Sequence, residues 1–236
     1  MKLRGVLLVA AIASGACASD HAPDTNQLVI VLRIDQPEGA GPTRYQATFS
    51  LDGLYRKLDV GDEVRVTADA APPVVLSGDD YYLGETYSFE RDDPPFTSAT
   101  FALSRVRGGT APSSVASFAP ALADFTPPDA TSLAYRDGTA PVTMRWTNAL
   151  PEAFITYVSH ACDHADNHVE SKQLPDKGAI VLPLRDILID GTPKAPTCVR
   201  VEIRRALPGK LDPVISSAGS TVTGYLVHAT TLTITP

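Results

Sequence analysis

Hydrophobic residues in this chain recur with period two, in short runs broken by proline and glycine. That pattern belongs to strands with one buried face, because successive side chains of an extended backbone point to opposite sides. Cys198-Val199-Arg200-Val201-Glu202-Ile203-Arg204 is the cleanest case, with Val199, Val201 and Ile203 on one side and Arg200, Glu202 and Arg204 on the other. A one-residue slip in pairing would bury those charges, so the facing of this strand is strongly specified. Val142–Thr147 alternates around the only tryptophan, Trp146, and Ala153–Val158 is β-branched and aromatic. Gly178–Leu182, Thr221–Val227 and Thr230–Ile234 read as further strands, and Pro183–Asp190 as a helical turn. Arg200, Arg204, Arg205 and Lys210, the densest basic group, read as the solvated face of a strand and its turn.

The first half repeats the alternation. Gln27–Leu32 is a continuous apolar run, suited to a strand covered on both faces. Tyr45–Leu51, Asp62–Ala68, Val74–Leu76, Tyr81–Phe89 and Ala99–Ser104 follow, separated by Asp52-Gly53, Pro72-Pro73, Gly78-Asp79-Asp80 and Asp92–Pro95. With Tyr81–Phe89 read as the edge of a strand pair, about seven strands between 27 and 106 have the ~8–12-residue spacing of a sandwich or barrel. Residues 107–139 are rich in Pro, Ser, Ala and Gly, yet Phe118, Leu122 and Phe125 need burial, which predicts a connector packed on the sandwich. A strand ending in arginine, a glycine turn, then proline and serines occurs twice, after Phe101 and after Val201, and points to tandem copies of one sandwich type.

The run Val142–Val158, a tryptophan strand followed by a tyrosine strand, resembles the second and third strands of a fibronectin type III or immunoglobulin-like domain. Thr197–Leu207 is similar to the later strand that pairs beside the third. The resemblance covers roughly residues 140–236 and implies a second β-sandwich there, after a first at 27–118 and a connector at 119–139. Cys162 and Cys198 depart from the usual immunoglobulin placement, since they would join the end of the third strand to the start of the sixth. Those strands are neighbours in that fold, so a bridge is geometrically possible.

Composition agrees with an all-β class: twenty prolines and sixteen glycines punctuate the chain, and no long 3.6-period apolar stripe occurs. A formal net charge of −7, without a long Lys/Arg cluster, argues against a nucleic-acid partner.

At the N-terminus, Lys2 and Arg4 precede an apolar run, Val6–Ala13, and the small residues Ser14-Gly15-Ala16. The apolar run is far shorter than the ~20 residues of a spanning helix. Ser14-Gly15-Ala16-Cys17 resembles the lipobox of bacterial lipoproteins, with Ser14 where leucine is usual. The resemblance implies a signal peptide over 1–16, lipidation of Cys17 as the mature N-terminus, and a tether over 17–26. Ala18 after the cysteine implies sorting to the outer membrane, facing the periplasm or the cell surface. The alternative is an ordinary secretory leader cleaved nearby. With Cys17 assigned to lipid, Cys162 and Cys198 remain as an even pair in an exported chain, which predicts a disulfide.

Candidate chemistry concentrates at residues 160–168. His160, His164 and His168 share a face on a helix or a strand, and with Asp166 they suit Zn²⁺ or Cu²⁺. The competing reading is a solvated loop of turn-forming residues after a strand. Asp79-Asp80 and Asp92-Asp93, with Glu85 and Glu90, could bind Ca²⁺ but lack the EF-hand spacing. There is no G-x-S-x-G, G-x-x-x-x-G-K, H-E-x-x-H or dinucleotide motif. The expected role is therefore non-catalytic, without a cofactor: an anchored binding or structural surface in the cell envelope, for a protein or glycan partner. A metal-binding lipoprotein and a hydrolase assembled from distant residues are the rivals. A hydrolase predicts a deep cleft with convergent polar groups.

Overall fold

The computed structural model describes residues 23–236 except positions 40, 70, 82–83, 107–111, 129–131, 137, 163, 189–190 and 216–217. The leader, Cys17 and most of the tether lie outside the described residues. The fold is all-β. Helix is confined, among the described residues, to two 3-10 turns, Thr25–Gln27 and Leu184–Asp186, the second within the segment expected to hold a helical turn.

The strands of the first half are β1 (Val29–Pro37), β2 (Thr43–Leu51), β3 (Leu54–Tyr55), β4 (Glu63–Ala68), β5 (Val74–Val75), β6 (Ser77–Tyr81), β7 (Gly84–Arg91), β8 (Ser98–Ser104) and β9 (Ser113–Ser117). Those of the second are β10 (Ser132–Ala134), β11 (Pro141–Arg145), β12 (Phe154–Ala161), β13 (His164–Glu170), β14 (Leu174–Pro175), β15 (Ala179–Pro183), β16 (Thr197–Pro208) and β17 (Thr221–Thr235). One main sheet runs β13-β12-β16-β17-β1-β2-β7-β6. A four-stranded sheet, β5-β4-β8-β9, and the β11–β15 pair are separate from it.

Each of these smaller sheets closes a core against the main one. In the first core Ile30, Leu32, Ile34, Tyr45 and Phe49 meet Val64, Val66, Phe101 and Leu103. In the second, Val142, Met144, Trp146, Ile180 and Leu182 meet Ile155, Tyr157, Val201, Ile203, Leu232 and Ile234. Sequence alternation explains both sets, since each strand sends every second residue inward.

The division into two consecutive sandwiches needs correction. β17 gives Val222 to the first core and Leu232 and Ile234 to the second. Its first part pairs in parallel with β1, from Val31↔Thr221 to Pro37↔Val227, while β16 lies antiparallel along most of its length. Ile215 also lies in the first core, so part of the segment assigned to 140–236 packs with 27–118. The expected break at 119–139 separates the covering sheets, whereas the main sheet continues past it. Thr221–Val227 and Thr230–Ile234, expected as two strands, form one. Even-numbered positions keep the inward parity throughout, and the polar pair His228 and Thr230 marks where one core gives way to the next.

Two further expectations change. β1 is covered on one face only: Ile30, Leu32 and Ile34 are buried, while Val31 is 38% exposed. Its apolar run reflects a central place between β17 and β2 rather than two covering layers. The 107–139 segment contains a strand, serine-rich β9, before Phe118 packs on the first core and Leu122 and Phe125 on the second. Where that chain crosses β17 the clearance is small. A Cβ on Gly224 would stand 2.7 Å from the Ser117 carbonyl oxygen and 2.9 Å from the Phe118 ring.

Parallel pairing of β1 with β17 gives the molecule a direction. The chain enters at the outer end of the first sandwich and finishes at the outer end of the second. Fifteen residues of β17, at ~3.3 Å each, span about 50 Å along that axis.

Candidate functional site

The end of the second sandwich remote from the chain's entry is built by β12, β13 and the start of β16. β12 and β16 are antiparallel neighbours, with Ala161 opposite Val199, so Cys162 and Cys198 fall side by side just beyond that pair. Their sulfurs are bonded, with 5.5 Å between Cα atoms, and the Cys162 N–H donates to the Cys198 carbonyl at 3.2 Å. The staple joins adjacent strands of one sheet, as the sequence implied, and does not cross between layers.

The histidine segment is a strand rather than the solvated loop of the competing reading. β13 turns back on β12, placing His168 opposite His160 and His164 opposite Ala161, with a register irregularity between the two pairs. The side chains of His164, Asp166 and His168 lie outside the described residues. His160 has its Nδ1 3.1 Å from the Ala161 carbonyl oxygen and its Nε2 3.6 Å from Glu202 Oε1. Glu202 also receives Arg200 at 3.3 Å and Arg204 at 2.9 Å. Burial pushes the Glu202 carboxyl up, but the two guanidinium groups outweigh it and hold the group below the usual carboxylate range. Among the described residues no three His, Cys, Asp or Glu side chains are grouped as a metal site.

Beside the staple is a cavity of about 330 Å³. Ile187, Leu188 and Val199, all buried, form an apolar floor; Thr192, Lys194 and Thr197 supply polar atoms at its rim. The 3-10 turn at 184–186 and the loop after it place the rim, because Leu184 and Ile187 are anchored in the second core.

A second cleft, about 530 Å³, opens in the first sandwich on the side facing the second, between Asp69, Pro72, Arg91, Asp93, Pro94 and Phe96. Two of its charges, Arg91 and Asp93, are engaged with each other. Asp93 accepts from the Tyr45 hydroxyl and from Arg91 Nε at 2.6 Å, and Arg91 also donates to the Pro72 carbonyl at 3.1 Å. Burial, then the bond to Asp93, pushes the Tyr45 phenol well above its ordinary value. Of the acids considered for Ca²⁺, Asp93 is held this way and Glu90 pairs with Arg44 at 2.6 Å. The side chains of Asp79, Asp80 and Glu85 lie outside the described residues.

Between the two cores sits a polar network that sequence reasoning missed. Arg205, read as part of a solvated face, is 0% exposed. Its guanidinium bonds Asp176 Oδ2 at 2.6 and 2.8 Å, the Pro120 carbonyl at 3.0 Å and the Asn148 carbonyl. Asp176 also accepts from the Trp146 indole at 2.8 Å and from the N–H groups of Leu150 and Gly178, both at 3.1 Å. The available signal was parity, since Arg205 shares the inward side with Val199, Val201 and Ile203.

The geometry thus defines a class: an all-β protein in which two sandwich cores are strung on one main sheet. No family model matches the sequence, and no curated protein is significantly similar to it. Among solved structures, one similar chain is described as a biofilm associated protein, BSP domain, at 11% identity and a TM-score of 0.28 over 88% of this chain. This chain spans about 30% of that protein's length. Another, the calcium binding domain CBD12 of CALX1.1, aligns over 87% of this chain and 98% of its own, at 10% identity and a TM-score of 0.23. Overlaps at these scores bear on neither ligand nor partner, and the fold rests on the strand pairing itself.

Proposed function

We propose that this chain is an exported, lipid-anchored, non-catalytic protein that holds a binding surface away from the outer membrane for a protein or glycan of the cell envelope. The observation that carries the reading is the molecule's direction. The tether enters β1 at one end, while the disulfide, the β12–β13 hairpin and the 330 Å³ cavity occupy the other, about 50 Å away. β16 and β17 hydrogen-bond through the junction and make the shaft between them a single sheet. Loops clustered at one end of a sandwich are a common place for recognition. In the 530 Å³ cleft, Arg91 and Asp93 satisfy each other, which does not favour the convergent reactive groups of a hydrolase.

Intact-mass spectrometry of the protein extracted from bacterial membranes tests the anchor. Acyl chains on Cys17 are expected, and a Cys17→Ser chain is expected in the soluble fraction. An unmodified mature N-terminus would end the reading.

A metal site on the β12–β13 hairpin is the second reading, supported by the register that sets His160 opposite His168. Titration calorimetry with Zn²⁺ and Cu²⁺ at neutral pH decides it, and His160→Ala should weaken any binding seen. No binding below micromolar metal ends it.

A further inference from the structure

Large apolar side chains are exposed unevenly along the axis. Nine are exposed among the described residues, and five of them, Leu54, Tyr55, Val60, Val106 and Val214, lie at the outer end of the first sandwich. The three most exposed are all in this group: Val60 at 98%, Val106 at 67% and Leu54 at 63%. Topology places them together. β3 folds back on the end of β2, where Ser50 pairs with Val29 at the start of β1. The 56–62 loop then crosses to β4, and a Cβ on Gly61 would stand 2.9 Å from the Val106 side chain. Asp212, two residues before Val214, accepts from the N–H of Ser113 at the start of β9.

The chain enters at this same end. Arg105, next to Val106, donates to the Pro23 carbonyl at 2.9 Å and pairs with Asp62 at 2.7 Å. Pro23 is the first described residue. Only five residues separate it from Cys17, six steps along the chain with a reach of about 20 Å when fully extended. A surface tied to a bilayer through Cys17 is therefore held within contact distance of it.

We infer that this apolar cap rests in the interfacial layer of the membrane and stands the protein upright on it, an inference that depends on the lipid-anchor reading. The cap's charges specify how it binds. Among the described residues Arg56, Lys57, Arg105 and Lys210 are matched by Asp24, Asp52, Asp59, Asp62 and Asp212, so no cationic excess there seeks anionic lipid. Contact is through apolar burial and should change little with salt or with the fraction of anionic lipid. Upright seating explains why the other end, which carries none of the nine exposed apolar residues, is the one available for recognition.

The test separates the cap from the anchor. A chain beginning at Cys17 is coupled through that thiol to a maleimide lipid in phosphatidylethanolamine/phosphatidylglycerol vesicles, which supplies the tether whether or not a cell acylates the cysteine. Val60→Trp places a reporter on the cap, and Val181→Trp places one on the exposed face of β15. With brominated lipids the added emission of Val60→Trp should fall several-fold, while that of Val181→Trp and of buried Trp146 stays constant. Quenching at neither added site overturns the inference, and so does quenching at both, which would mean that the protein lies on its side. Absence of acyl chains on native Cys17 defeats the anchor reading alone.

Discussion

Replacing Arg205 by methionine should be among the most damaging single substitutions in this protein. Methionine fills much of the stem's volume but donates nothing, so Asp176 Oδ2 and the carbonyls of Pro120 and Asn148 lose their shared partner. Breaking a buried ion pair from one side costs roughly 3–5 kcal/mol, because the other charge stays buried. Asp176 keeps the Trp146 indole and the N–H groups of Leu150 and Gly178, which limits the loss to about that range despite the orphaned carbonyls. Urea unfolding followed by Trp146 fluorescence should show the midpoint falling by roughly 1–2 M, for a slope of up to ~3 kcal/mol/M. The pH dependence has a definite sign. Burial pushes the Asp176 carboxyl up, but Arg205 and the surrounding donors outweigh it, so its folded value lies below its unfolded one. That contribution to stability is full above the unfolded carboxylate value of about 3.9 and is lost as pH falls through the folded value. Without Arg205 the carboxyl keeps the burial that raises it and loses the partner that lowers it most, so its folded value rises relative to wild type. The stability gap between wild type and Arg205→Met should therefore narrow as pH is lowered from 6 towards 3. A loss under about 1 kcal/mol, or a gap that widens in acid, would refute the reasoning.

Because β17 serves both cores, Val222→Ala in the first and Leu232→Ala in the second should shift one common urea transition. Core truncations of this kind cost about 1–5 kcal/mol, and resolved separate transitions would show that the cores unfold independently. Gly224→Ala should destabilise by about 1–3 kcal/mol, since the new Cβ meets backbone at Ser117 and cannot be relieved by rotating a side chain; an unchanged midpoint would contradict the close crossing. Joint replacement of Cys162 and Cys198 by serine removes a link across a 36-residue separation and should cost about 3–4 kcal/mol, seen as a lower urea midpoint that reductant no longer alters.

The strands were legible wherever one face is buried and the other wet. Val199, Val201 and Ile203 declared their facing, Val142–Trp146 did the same, and the pair Cys162 and Cys198 followed from cysteine count once Cys17 was set aside. Reading failed where position in the sheet mattered more than local pattern. The apolar run at β1 looked doubly covered because central and doubly covered strands are similarly hydrophobic. The sequence reads as two strands parted at His228 and Ala229, because a strand passing from one core to another carries a polar inward residue between them. β9 was missed because Ser113, Ser114 and Ser117 carry little strand propensity; its pairing with β8 supplies what its residues do not.

Local chemistry alone therefore determined an all-β chain, its alternating faces and its staple, since those depend on neighbours two residues apart or on simple counts. How the pieces are joined was decided by contacts between distant residues. β1 lies parallel to a strand 190 residues later, as Val31↔Thr221 shows, and this pairing joins the cores and gives the molecule two unlike ends. Arg205 illustrates the difference: a charge can be buried only where Asp176 and two carbonyls converge on it, and no window of sequence contains them all.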